Sequence, residues 1–336
     1  MDDHLVNAGD GTAGLSLPRH AISLLVHEQL PVIVDQCRNF ATFAPDSLIM
    51  LHVSATGSVG KDEVRAALAQ AGLGRCIVND VSHASSWGSI INGHFANVRA
   101  LAGLMDPAGS VSLHSSNDML LRPLPDPPAL GARYETRKVT RDSLWYTGRM
   151  LAQAPALAPL LDALNCPEAV GGQVEGSVYP LTMLTALADA VEPHGALIDA
   201  LPVAEEVLFP TWAHDRRLPP TAAPYVLCRP SLLPVYALAL LPGAMRSTRF
   251  GSLIDRGLNR LEARMVGLHA RMADVEAVIA GAALDDAAWA DSAPPRLAMV
   301  FHGIKRVARR MDDPVRQRIA RHTARQIGRQ TAGVTA

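Results

Sequence analysis

The feature that most constrains this chain is a series of short apolar runs, each followed by a segment with helical spacing. Ala21–His27 reads AISLLVH, Ser47–Ser54 reads SLIMLHVS, Cys76–Asn79 reads CIVN and Ser110–Ser115 reads SVSLHS. A continuous apolar run of roughly four to eight residues is the pattern of a strand buried on both faces. Between the runs, Pro31–Phe40 puts Val32, Ile33, Gln36, Cys37 and Phe40 at helical spacing. Lys61–Gln70 reads as a helix closed by Gly72 and Gly74, and a helix is expected from Ser89 to Leu104, ended by Asp106-Pro107. Strand and helix in alternation imply an α/β fold with a mostly parallel central sheet and helices on both faces.

The rest divides less evenly. Residues 1–18 are expected to be a disordered lead, and 19–215 the main α/β domain. Arg141–Leu164 and Thr182–Val191 are expected as helices. Residues 216–300 begin with a proline-rich stretch, Pro219–Pro242, and contain one long expected amphipathic helix over 252–281. There Leu253, Leu258, Leu261, Met265, Leu268, Met272, Val275 and Val278 fall on one stripe. Residues 301–330 form a basic segment, with nine Lys and Arg against two Asp between Lys305 and Arg329.

Composition removes several classes. Of 336 residues, 49% are hydrophobic and 19% charged, which excludes a disordered or fibrous chain. The formal net charge of −1, and a basic tail without interleaved aromatics, argue against nucleic acid as partner. Cys37, Cys76, Cys166 and Cys228 are too scattered for a disulfide framework or a zinc cluster. The N-terminus is acidic and polar, unlike a secretory signal. No apolar run approaches the roughly 18–20 residues that span a bilayer. A cytoplasmic protein is expected, with peripheral contact at the inner membrane open through the basic tail.

Familiar phosphate and nucleophile motifs are absent. Ser58-Val59-Gly60-Lys61 would need Gly in place of Ala55 and Ser or Thr in place of Asp62 to be a phosphate loop. Gly72-Leu73-Gly74 lacks the third glycine of a dinucleotide fingerprint. There is no G-x-S-x-G, no H-E-x-x-H and no Asp-x-Asp triplet. His27, His52 and His114 each sit at a strand end, and in open α/β sheets strand ends face the ligand crevice.

Four segments carry a resemblance. The first is AISLLVHEQLPVIVDQCRNF followed by SLIMLHVS, with His52-Val53-Ser54 at its end. The second is SSWGSIINGHFANVRAL followed by SVSLHSSNDMLLRP, with Trp87, Asn117, Asp118 and Pro123. The third is Gly176-Ser177-Val178-Tyr179, then Glu205-Glu206-Val207-Leu208-Phe209-Pro210-Thr211. The fourth is Gly303-Ile304-Lys305-Arg306-Val307 with Asp313-Pro314-Val315-Arg316. Together, over about 20–215 and 300–320, they resemble the core 2/I-branching β-1,6-N-acetylglucosaminyltransferase family, which includes peptide O-xylosyltransferases. That resemblance implies a GT-A-like nucleotide-sugar-binding domain, a UDP-sugar donor, inversion at the anomeric carbon and no metal. Ser54 stands where the family has an acid.

The resemblance implies Glu206, five residues before Thr211, as the base. It implies donor contacts from His27, His52, Ser54, Trp87, Asp118, Lys305, Arg306 and Arg316, and acceptor contacts from Glu205, Trp212 and Tyr179. The chemistry is coherent. Inverting transfer needs a carboxylate to take the acceptor proton, and departing UDP needs its growing charge stabilised. Fixed Lys and Arg can do for a diphosphate what a divalent ion does elsewhere. The UDP-sugar is a co-substrate, with N-acetylglucosamine favoured, and no cofactor is expected. The acceptor would be an oligosaccharide or a lipid-linked glycan in surface polysaccharide biosynthesis. Two alternatives stay open: a degenerate member acting as a scaffold, and a metal-dependent transferase.

Overall fold

The computed structural model describes residues 17–85, 90–124, 131–229, 232–265, 269–284 and 299–334. Residues 1–16 of the expected lead and Trp87 lie outside the described residues.

The apolar runs become strands β1 (His20–Val26), β2 (Leu48–Val53), β3 (Cys76–Val78) and β4 (Ser110–His114). Successive side chains point to opposite faces, so one continuous run supplies two cores. Ala21, Leu48, Met50, Val111 and Leu113 enter the larger cluster, while Ile22, Leu24, Ile49 and Leu51 enter another. Helices α1 (Leu30–Phe43) and α2 (Lys61–Gln70) cover the second face, and α3 (Ile91–Leu101) covers the first. Short strands β5 (Met119–Leu120), β6 (Val178–Pro180), β7 (Val226–Leu227) and β8 (Gly303–Ile304) follow along the chain.

The main sheet runs β3-β2-β1-β4-β6, parallel except for β6. The chain steps outward from β1 to β3, then crosses by α3 on the opposite face to reach β4 beside β1. A crevice therefore opens between the carboxyl ends of β1 and β4, the place where such sheets bind ligands. The α/β architecture with a mostly parallel sheet agrees with the expectation. At Gly60-Lys61 the Gly60 N–H donates to Glu63 Oε2 (3.2 Å), capping α2 in place of any phosphate.

Two expected helices are corrected. Arg141–Leu164 is not continuous: α4 (Tyr146–Leu151) and α5 (Leu157–Ala163) are separated before Pro155, which disfavours helix in the residue preceding it. Next come α6 (Leu181–Val191), α7 (Gly195–Asp199), α8 (Glu205–Asp215), α9 (Leu232–Ala239) and α10 (Gly243–Arg246). The single helix expected over 252–281 is α11 (Arg249–Met265) and α12 (Met272–Ala280), with 266–268 outside the described residues. Between them the Ala270 N–H donates to the Arg306 carbonyl (2.8 Å). Asp274 in the first turn of α12 favours a new start there, paired with Arg229 and Arg271. The two helices serve different bodies, α11 packing on α9 and α10, and α12 on β8 and α13 (Pro314–Val334).

The basic tail is an integral part of the fold. β8 pairs antiparallel with β5 and parallel with β7, building a second, three-stranded sheet from distant parts of the chain. Helix α13 packs on α1, where Arg316 donates to Asp35 Oδ2 (2.5 Å) and to the Ala308 carbonyl (2.8 Å). Among the described residues, no helix is long and apolar enough to cross a membrane.

Candidate functional site

A cleft of about 300 Å3 opens at the carboxyl ends of β1 and β4. His27 follows β1, and Ser115, Ser116 and Asn117 form the turn after β4. Glu175 precedes β6, Glu205 and Glu206 begin α8, and Lys305 and Arg309 follow β8.

Local backbone chemistry sets these side chains in place. Gln36 of α1 donates to the carbonyls of Ser115 (2.9 Å) and Asp118 (2.8 Å), fixing the turn after β4. The Lys305 N–H bonds the Leu227 carbonyl and the Val307 N–H bonds the Asn117 carbonyl, both at 2.9 Å. The basic loop is thereby stitched to the cleft wall. Pro210 inside α8 has no N–H to give the carbonyl of Glu206 four residues back. That carbonyl instead accepts the N–H of Gly172 (2.9 Å), joining the first turn of α8 to the loop that carries Glu175. Gly176 in that loop has φ +79°, and a Cβ there would stand 2.7 Å from the Val226 nitrogen.

Two left-handed residues flank the charged groups. Val203, a lining residue, has φ +49°, and Arg306 beside Lys305 has φ +66°. For a β-branched residue this is a strained backbone costing about 1–3 kcal/mol, and such strain gathers at functional sites. At Val203 it turns the chain so that α8 starts at the cleft, and the Val203 carbonyl takes the Glu206 N–H (3.0 Å).

The electrostatics are dominated by burial and pairing. Glu205 is buried, its Oε2 finds no hydrogen-bond partner, and desolvation pushes its pKa up to about 8 against the pull of its backbone hydrogen bond. Glu206 is half-buried and pushed up to about 7 by desolvation, opposed by Lys305 and by a hydrogen bond with Thr147 of α4. Burial works to raise Glu175 as well. The Lys305 ammonium 2.6 Å away overrides it and holds that carboxyl below its ordinary value. Burial likewise disfavours the Lys305 charge, but Glu175 foremost, with Asp118 and Glu206, raises its pKa. Arg309 Nε lies 2.8 Å from Glu28 Oε1, and His27 Nε2 lies 3.2 Å from the same oxygen. Desolvation, helped by Arg309, lowers His27 against the opposing pull of Glu28. The cleft thus holds one carboxyl of near-neutral pKa, one buried carboxyl pushed higher still and two cations already paired with carboxylates.

Of the residues singled out in the sequence, Glu205, Glu206, His27, Asn117 and Lys305 meet in this cleft. The others are placed differently. His52 is buried at the end of β2, where its Nε2 accepts the His83 N–H (2.8 Å). Ser54 is buried and its Oγ accepts the Ser85 N–H (3.0 Å), so it shapes a lining residue without lining the cleft itself. Asp118 is fully buried, its Oδ2 accepting the Ser115 N–H (3.0 Å) beside His114. It positions the turn.

Four expected contacts are corrected. Arg316 is not at the cleft, because its guanidinium is buried in the interior, where Nε donates to the Ala308 carbonyl and Nη1 to Asp35. Arg306 does not line the cleft; its backbone is left-handed and its carbonyl accepts the Ala270 N–H. Tyr179 is buried against Tyr134 and Phe209. Trp212 is buried a turn and a half beyond Glu206, with Arg216 over its ring. Neither aromatic lines the cleft.

Sequence reasoning missed Glu175 and Glu28. The glycine directly after Glu175, a residue type that marks a tight turn, was the available signal for the first, and the position directly after His27 for the second. Among the described residues, no group of three or more His, Cys, Asp or Glu is arranged to hold a metal ion. Compared with known proteins, the chain matches no family model and no curated protein.

Proposed function

We propose that the chain is an inverting glycosyltransferase moving a sugar from a UDP-sugar, N-acetylglucosamine favoured, to a glycan or lipid-linked acceptor. The observation that carries this is Glu206: a half-buried carboxyl with a pKa near 7, sharing one cleft with Lys305 and Arg309 at the β1/β4 crevice. A base of that pKa is matched to proton abstraction near neutral pH. The doubly wound sheet is compatible with a GT-A-like nucleotide-sugar domain, and the resemblance in the sequence points the same way.

In the transfer, Glu206 takes the proton from the acceptor hydroxyl. The acceptor oxygen forms a bond to the anomeric carbon from the face opposite the donor bond. The bond from that carbon to the diphosphate oxygen breaks, and UDP leaves with the electron pair. Lys305 and Arg309 stabilise the growing negative charge, exchanging Glu175 and Glu28 for diphosphate oxygens without a metal ion. Glu205, neutral in its dry position, can donate a hydrogen bond that an ionised carboxylate could not.

The test is calorimetric titration of UDP into the protein in excess EDTA, with Lys305→Ala alongside. Binding to the wild type that the variant loses is the expected result. Binding that appears only after manganese is added would replace this mechanism with a metal-dependent one. No binding in either condition would remove transferase function.

A further inference from the structure

Twelve large apolar side chains stand exposed among the described residues, and five of them crowd between 240 and 261. They are Leu240, Met245, Phe250, Leu253 and Leu261, with Leu253 63% and Leu240 86% exposed. Single exposed leucines are ordinary, whereas a cluster of this kind marks an interaction surface.

The surface is ordered around α11. Its covered side carries Gly251 and Asp255, both buried, and half-buried Ile254 and Leu258. Asp255 is spent internally, 2.7 Å from Arg149 of α4. Helical spacing puts Phe250, Leu253 and Leu261 together on the outward side. Arg249, Arg260 and Arg264, all exposed, lie within roughly 40° of Leu253 around the axis. The only other acid on the helix, Glu262, projects with the covered side. The outward face is therefore apolar and cationic, with no negative charge.

That combination selects an occupant. A protein groove that took the leucines would have to pair the arginines one by one. A lipid surface takes both at once, the apolar side chains entering the acyl boundary while the arginine stems lie along them and the guanidiniums reach the phosphates. We propose that α11, with Leu240 and Met245 at its approach, lies in the headgroup layer of an anionic bilayer. The basic helix α13 is not this surface: it exposes Arg321, Arg325 and Arg329, but none of its described large apolar side chains is exposed, so it lacks the apolar half. The docking does not rest on the proposed transfer chemistry, though the two sites are physically linked. The Asp255–Arg149 pair ties α11 to α4, and Thr147 of α4 bonds Glu206, so the membrane-facing helix and the cleft are joined through one short element.

The experiment is co-sedimentation of the full chain with vesicles of phosphatidylglycerol and phosphatidylcholine, and with phosphatidylcholine alone, at two salt concentrations. Sedimentation velocity without lipid runs in parallel. Two triple variants accompany the wild type, Phe250→Ser/Leu253→Ser/Leu261→Ser and Arg249→Gln/Arg260→Gln/Arg264→Gln. All six positions are exposed, so circular dichroism should stay unchanged. The wild type should bind the anionic vesicles, weaken in salt and ignore the neutral ones. The apolar variant should bind on the order of a hundredfold more weakly, and the arginine variant should lose its anionic preference. No vesicle binding by the wild type, or binding untouched by both variants, overturns the proposal. So does a dimer in solution that the apolar variant dissociates, which would make a second copy of this chain the occupant.

Discussion

Replacing Glu205 with glutamine should make the protein more stable, and by an amount that depends on pH. Glu205 is 3% exposed and its pKa is raised from 4.5 to about 8, chiefly by desolvation. At pH 7 the folded state keeps the proton while the unfolded chain has released it, so ionisation favours unfolding. Linkage puts the penalty at about 1 kcal/mol at pH 5, about 3 kcal/mol at pH 7 and about 5 kcal/mol at pH 9. Glutamine is nearly the same size, is neutral in both states and removes the whole pH-dependent part. Urea melts of wild type and Glu205→Gln at these three pH values read the difference directly as a growing separation of midpoints. A variant no more stable than wild type at pH 7, with a flat difference across the range, would refute the premise of a dry, protonated acid. It would also weaken the account of Glu206, whose pKa is raised by the same burial. The gain should come with lost function, because a destabilising acid kept at a cleft is the usual form of a stability–activity trade-off.

Other outcomes are equally specific. Lys305→Met should destabilise the fold by about 3–5 kcal/mol by stranding the buried Glu175 carboxylate. Adding Glu175→Gln should return most of that loss in a double-mutant cycle, and a cycle with no coupling would show the pair is not formed. Gly176→Ala should cost more than about 1 kcal/mol, read as a fall in melting temperature, because alanine meets both a left-handed backbone and the Val226 nitrogen. Transfer activity, once a donor is found, should rise with pH through a midpoint near 7 as Glu206 loses its proton, and Glu206→Gln should abolish that limb while UDP still binds.

What the sequence disclosed follows from how local the physics is. A strand buried on both faces must be apolar at every position, so β1 and β2 are visible as unbroken runs. Glu205 and Glu206 are neighbours, and their proximity survives any fold. The pairing of Lys305 with Glu175 and of Arg316 with Asp35 joins residues far apart in the chain, which no periodicity encodes. Arg316 therefore reads as one more cation available to a donor diphosphate, although it is fully buried. The break between α11 and α12 is hidden for the opposite reason, since the same apolar spacing continues across it while the backbone is diverted to Arg306. Tyr179 and Trp212 stand beside acidic motifs in the sequence, but the sheet and the α8 packing turn both inward.

The latch between Asp35 and Arg316 also bears on how the molecule is made. The two residues are separated by 281 positions, and Asn39 and Thr42 of α1 likewise bond Thr323 and Gln330. At about 5–20 residues per second, a ribosome takes about 14 to 56 s to travel from one to the other. During that interval the first four strands can assemble, yet one flank of α1 has no cover and a carboxylate meant for the interior faces water. Strand β8, inserted between β5 and β7, arrives in the same late window, and with it Lys305. The nascent chain therefore holds its acidic wall long before its cationic one, and the charge set of the cleft is complete only when synthesis is nearly over.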